Sequence, residues 1–170
     1  MIHRTPVTLT GKVAFQGEPG AYGHMACVEA YPQLEPFPCP TFEDAFEAVS
    51  TGEAVRALIP IENSLAGRVS DIHHLLPDSA LSIVGEHFFR VRHQLLGLPG
   101  ARLDQVRSVH SHPMALGQCR KLIRQNRFLP VKEADTAGAA RLVKERGDPT
   151  QAALASVLAG QIYGLDILAH

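Results

Sequence analysis

Glu62, Asn63 and Ser64 put a carboxylate, an amide and a hydroxyl on three successive positions. They follow an apolar run, Val55 to Ile61, and precede Gly67 and the helical spacing Val69, Ile72, Leu75, Leu76. A helix start carries unpaired backbone N–H groups and the positive end of a dipole, which together suit an anion. The three side chains add an acid, donors and acceptors at the same place. Such a set can bind and orient a carboxylate and move a proton to or from it.

Three further junctions repeat the arrangement. In Gly17-Glu18-Pro19-Gly20-Ala21-Tyr22-Gly23-His24 the glycines let backbone approach a ligand closely. Gly20, Ala21 and Tyr22 are its candidate binding residues. The segment lacks Gly-Lys-Ser/Thr and is no dinucleotide fingerprint, and a structural turn is the alternative. In His110-Ser111-His112-Pro113, Ser111 is the expected N-cap and Gln118 lies just under two turns on. Ser111, His112 and Gln118 are candidates there, with plain capping as the alternative. In Asp135-Thr136-Ala137-Gly138, Asp135 or Thr136 caps a helix of small residues. Thr136 and Ala137 are the candidates, against capping and tight packing.

The elements that must position these junctions alternate. Strands are expected at Lys12 to Gln16, Ala54 to Ile61, Val106 to His110, Phe128 to Ala134 and Gln151 to Ser156. Helices are expected at Ala21 to Tyr31, after the Thr41 cap, at Gly67 to Leu76, Pro113 to Asn126, Thr136 to Arg146 and Val157 to Tyr163. Pro32 to Pro40 reads as extended or looped. Leu81 to Leu98 reads as one long strand, or two with a kink near Gly85-Glu86, able to run between two lobes. Alternating strands and helices imply an α/β fold with largely parallel sheets and ligands beyond the carboxyl ends of the strands. The expected division is 1–84 plus 157–170 for one lobe and 85–156 for the other.

The 170 residues are 45% apolar, with a formal net charge of -1. Without a basic tract, nucleic acid is not an expected partner. No apolar run reaches the roughly 18 residues needed to span a bilayer, so no membrane is expected either. Met1 to Thr10 lacks the apolar stretch of an export signal. Three widely spaced cysteines, Cys27, Cys39 and Cys119, read as free thiols in a reducing cytoplasm. The nine histidines form no Cys-x-x-Cys or His-Glu-x-x-His spacing, so no metal site is expected.

Taken in order, the junctions resemble the catalytic domain of prephenate dehydratase. The match is carried by Phe15-Gln16-Gly17-Glu18-Pro19-Gly20-Ala21-Tyr22, by Pro60-Ile61-Glu62-Asn63-Ser64 with Gly67, by Ser111-His112-Pro113 with Gln118-Cys119, and by Asp135-Thr136-Ala137 with Ala139-Ala140. Ala152 to Ser156 and Tyr163-Gly164-Leu165 complete it. The resemblance implies two α/β lobes of the type-II periplasmic-binding-protein kind with the site in the cleft. It implies decarboxylative dehydration of prephenate to phenylpyruvate, a step of phenylalanine biosynthesis, without metal or organic cofactor. It further implies a homo-dimer or tetramer, and phenylalanine as an allosteric ligand of a C-terminal regulatory domain that these residues do not include.

Two departures qualify the resemblance. Where the family usually has Thr, an aromatic and Ser, this chain has Ala21, Tyr22 and Gly23. The family's Thr-Arg-Phe signature, with its favoured proton donor, would follow Tyr163-Gly164-Leu165 and is not found before His170. The expectation is therefore little or no dehydratase activity from these 170 residues alone. Asn63, Ser64, Ser111 and Thr136 are expected to hydrogen-bond substrate. Gln118 is expected to contact it or to order the pocket. Glu62 serves either as an acid raised by burial or as an acceptor ordering its loop. A non-catalytic carboxylate or amino-acid binder and an arogenate dehydratase are the alternative functions.

Overall fold

A computed structural model describes residues 9–65 and 67–170. Residues 1–8, on which the reading of an absent export signal largely rests, lie outside them.

The first lobe is built on a three-stranded parallel sheet. Its central strand β1, Lys12–Gln16, buries Val13, Ala14 and Phe15 on both faces, as a continuous apolar run demands. Helix α1, Tyr22–Ala30, follows, and then strand β2, Glu35–Cys39, at the sheet edge. The proline-rich stretch is thus a strand rather than a loop. Edge position permits it: Glu35 N donates to Gly11 O and Gly17 N donates to Cys39 O, so the alternate residues, Pro36 and Pro38, present their missing donors outward. Helix α2, Phe42–Ser50, starts with the expected capping box, in which Thr41 Oγ1 accepts from Asp44 N and Asp44 Oδ2 accepts from Thr41 N. Strand β3, Arg56–Ala57, completes the sheet in the order β2-β1-β3. It is shorter than the expected strand, although flanking bonds at Val55 and Leu58 carry its pairing with β1 one residue further at each end.

Residues after Pro60 depart from the expected strand-to-helix junction. Strands β4, Glu62–Asn63, and β5, Gly67–Arg68, form an antiparallel hairpin, and helix α3, Ser70–Asp78, begins beyond it. Gly67, at φ +83°, serves the hairpin rather than the helix start. Leu81 to Arg92 forms no strand and pairs with no described strand, leaving Val84 and Phe88 exposed. Strand propensity needs a neighbouring ladder, and only the end of the stretch, β6 (Gln94–Gly97), has one.

The second lobe holds a five-stranded sheet and carries most of the core. Strand β7, Ser108–Ser111, leads into helices α4, Pro113–Gln118, and α5, Arg120–Gln125, where one continuous helix was expected. Strand β8, Leu129–Lys132, helix α6, Thr136–Arg146, strand β9, Gln151–Ala155, helix α7, Val157–Tyr163, and strand β10, Asp166–Ala169, complete it. The sheet order is β10-β6-β9-β7-β8. β7 is parallel to β8 and β9, but β6 is antiparallel to β9 and β10, so this sheet is mixed. No α-helix links β6 to β7, and the short connection cannot make a parallel crossover.

Residues 157–170, expected with the first lobe, pack on the second instead: Ala159 of α7 and Leu165 join its core. Asp166–Ala169 pairs with β6 of the second lobe, because Gly164 at φ +62° ends α7 in the left-handed region and turns the chain back onto that sheet. Helix α6 lies close on β9 because both faces are small: Ala137, Ala139, Ala140, Ala153 and Ala155 are all fully buried. Gly147, in the left-handed region, closes α6.

Candidate functional site

The glycine-rich loop belongs to the first lobe by sequence and is fastened to the second. Ser156 Oγ donates to Gly20 O at 2.5 Å and accepts from Ala159 N at 3.0 Å, capping α7 at the same time. Gly20 is at φ +91°, and a Cβ there would lie 2.8 Å from Ala159 Cα, so no other residue fits. Arg141 of α6 clasps Glu18 with Nε–Oε2 at 2.8 Å and Nη2–Oε1 at 3.0 Å. That bidentate pair holds the Glu18 carboxyl below the usual carboxylate range. Tyr163 Oη donates to Pro19 O.

The fastened loop delivers the start of α1. Ala21, its N-cap, offers no side-chain hydrogen bond, so the first N–H groups of α1 have no capping side chain. Immediately before it, Gly20 N donates to His24 Nδ1 at 3.1 Å. His24 stacks on Phe15 with ring centroids 5.4 Å apart, and burial lowers its pKa. Three helix starts of the second lobe, those of α4, α6 and α7, are by contrast occupied by capping side chains. Asp135, not Thr136, caps α6, with Oδ1 accepting from Gly138 N at 2.7 Å. His112, not Ser111, caps α4 through Nδ1. Ser111 ends its strand with the side chain turned into the sheet, where Oγ donates to Leu154 O at 2.6 Å. Ala137 is core, so only its backbone is available for binding. The Thr136 hydroxyl makes no hydrogen bond to another described residue and remains a candidate.

Tyr22, on the first turn of α1, reaches across the lobes. Its Oη lies 2.7 Å from His93 Nδ1, and His93 Nε2 lies 2.7 Å from Gln118 Oε1. Two expected residues, Tyr22 and Gln118, are thus joined by one that the sequence reading missed. His93 precedes β6, and nothing in Arg92-His93-Gln94 distinguishes it from the surface histidines. Burial lowers its pKa, partly opposed by the bond to Gln118, and burial followed by the nearby Cys119 thiol raises that of Tyr22.

Glu62, Asn63 and Ser64 occupy the hairpin instead of a helix start. Asn63 Oδ1 accepts from Leu65 N at 2.9 Å, a local turn bond. Glu62 and Ser64 are exposed, and the burial that an acid role for Glu62 requires is absent. His110 is buried against Glu133 at 2.9 Å and Ser108. Cys27 and Cys39 are buried free thiols and Cys119 is a partly buried one, with burial pushing Cys27 up to about 12. Among the described residues no cluster of three metal-ligating side chains occurs, and no helix is long and apolar enough to cross a membrane.

Two α/β lobes joined through the polar contact Tyr22–His93–Gln118 define the class, a two-lobed α/β fold. The family model for prephenate dehydratase matches residues 13–170, and the chain belongs to that family. It is 51% identical over 156 residues to a bifunctional N-acyl-homoserine lactone acylase/prephenate dehydratase of Komagataeibacter europaeus, covering 92% of this chain and 56% of that protein. It is 46% identical to arogenate dehydratase 1 of Petunia hybrida, over 95% of this chain and 38% of that protein. The crystal structure of prephenate dehydratase from Arthrobacter aurescens in complex with L-Phe superposes with a TM-score of 0.85 at 28% identity, covering 95% of this chain and 55% of that one. The chain therefore spans about half, or less, of the length of these relatives.

Proposed function

We propose that the protein converts prephenate to phenylpyruvate, and that these residues supply its substrate-binding cleft. The observation that carries the reading is the interlobe set of donors: the uncapped start of α1 together with the Gln118 amide. Prephenate brings two carboxylates and a ring hydroxyl. Carbon dioxide leaves with cleavage of the ring-to-carboxyl bond, and its electron pair aromatises the ring as hydroxide departs. A proton delivered to that hydroxyl makes the leaving group water. Backbone N–H groups at α1 suit one carboxylate without a buried lysine. Gln118, Asn63, Ser64 and Thr136 are the proposed side-chain contacts, with Gly20 shaping the loop. Ser111 and His112 act by holding the β7–α4 turn. Glu62 orders its hairpin.

The arogenate dehydratase among the relatives favours a second reading, in which an amino group replaces the keto group of the substrate. Supplying both compounds in competition to a chain extended through the Thr-Arg-Phe signature tests the two. Phenylpyruvate as the main product supports the proposal, phenylalanine as the main product supports the second reading, and binding of either without turnover overturns both in favour of a carboxylate binder.

A further inference from the structure

Gln118 is useful to an anion only if its amide presents N–H groups rather than its carbonyl. The amide has two ends of nearly equal size, and something must choose between them. His93 is placed to choose. Its Nε2 lies 2.7 Å from Gln118 Oε1, and an amide oxygen accepts but never donates, so Nε2 carries the proton. Burial opposes the charged ring, and in the neutral ring the other nitrogen is then an acceptor. Tyr22 Oη, 2.7 Å from Nδ1, is the donor that fills it. The Tyr22 hydroxyl has one proton, and His93 is nearer than the alternative acceptor, Arg92 O at 3.2 Å. Each bond therefore fixes the next. The phenol of the first lobe selects the tautomer, the tautomer takes the amide carbonyl, and the amide N–H groups are left for a ligand.

We propose that His93 is a positioning residue for the cleft, orienting the Gln118 side chain so that its –NH2 end faces the bound substrate. The inference rests on the function proposed above and adds to it a residue outside the expected set. It separates the two ring nitrogens, and two substitutions can do the same. In His93→Gln a side-chain amide N–H reaches about as far as Nε2 and can still donate to Gln118. In His93→Asn the amide reaches only about as far as Nδ1 and cannot.

The experiment compares kcat/KM for prephenate and arogenate, together with the melting temperature, in a chain extended through the Thr-Arg-Phe signature and in both variants of it. The expected result is a loss of about tenfold or more in His93→Asn, the scale of one hydrogen bond to a charged group. His93→Gln restores most of it, and the melting temperatures of the two variants agree. Equal losses in both variants, equal retention in both, or losses that follow the melting temperature overturn the inference. If the unsubstituted protein turns over neither compound, the proposed function fails instead. His93 is then read directly by nitrogen NMR: a ring protonated at Nε2 and not at Nδ1, with Nε2 displaced in Gln118→Ala, sustains the orienting role, and the opposite tautomer overturns it.

Discussion

The glycine-rich loop and the hairpin at Glu62 to Ser64 carry similar promise as sequences and hold opposite positions in the structure. The loop is tied to the second lobe by Ser156, Arg141 and Tyr163, and its glycine touches α7 backbone. The hairpin keeps Glu62 and Ser64 exposed. The difference teaches where stability and ligand recognition separate. A side chain committed to internal bonds builds the cleft, whereas an uncommitted one is available to a ligand.

The comparison is broken most easily at Gly20. Gly20→Ala combines a left-handed backbone with a clash against Ala159, and the two together are expected to cost about 2–5 kcal/mol. That corresponds to a fall in melting temperature of roughly 5–15 °C, read by calorimetry. An unchanged melting temperature would mean that the loop is not fastened as described. Ser156→Ala comes next. It removes the α7 cap and leaves the buried Gly20 carbonyl without its donor, for about 1–3 kcal/mol in denaturant unfolding.

The pH dependence is smaller. His24 and His93 both have pKa values lowered below their usual 6.5 by burial. The unfolded chain therefore takes up protons first as pH falls. Their contribution is fully present above that value and is lost as pH drops through it toward the folded values. Melting temperature should decline on acidification through about pH 6, and His24→Gln should flatten the slope. A steeper slope in that variant would contradict the burial argument.

The smallest structural effect is expected in the hairpin. Ser64→Ala should leave stability within about 0.5 kcal/mol, since its hydroxyl is exposed. The same change should raise KM for the substrate if the hydroxyl contacts it. A large loss of stability there would place the hairpin with the loop after all.

Much of the fold was legible in local signals. The Thr41 capping box, the glycines that close α6 and α7, and the buried run at Val13 to Phe15 each act within a few residues. What was not legible depends on distant partners. Pro36 and Pro38 look like loop residues until β1 lies on one side only. Leu81 to Arg92 looks like a strand until no neighbour pairs with it, and Asp166–Ala169 has too little periodicity to announce itself without β6. The site divides in the same way. Tyr22 and Gln118 came from the junctions, but His93 carries no motif of its own and is defined by the two residues it joins. Ser111 and Asp135 were placed at the right junctions, although their oxygens serve Leu154 O and Gly138 N.

The two prolines of β2 have a consequence beyond permitting an edge strand. Between Glu35 and Cys39 the outward-facing positions are Pro36 and Pro38, which have carbonyls and no N–H. An extended chain from another molecule approaching this edge would find acceptors without donors and could not complete a ladder. This edge of the first sheet is therefore shut against further growth by its own backbone chemistry, with no helix or loop needed to cover it.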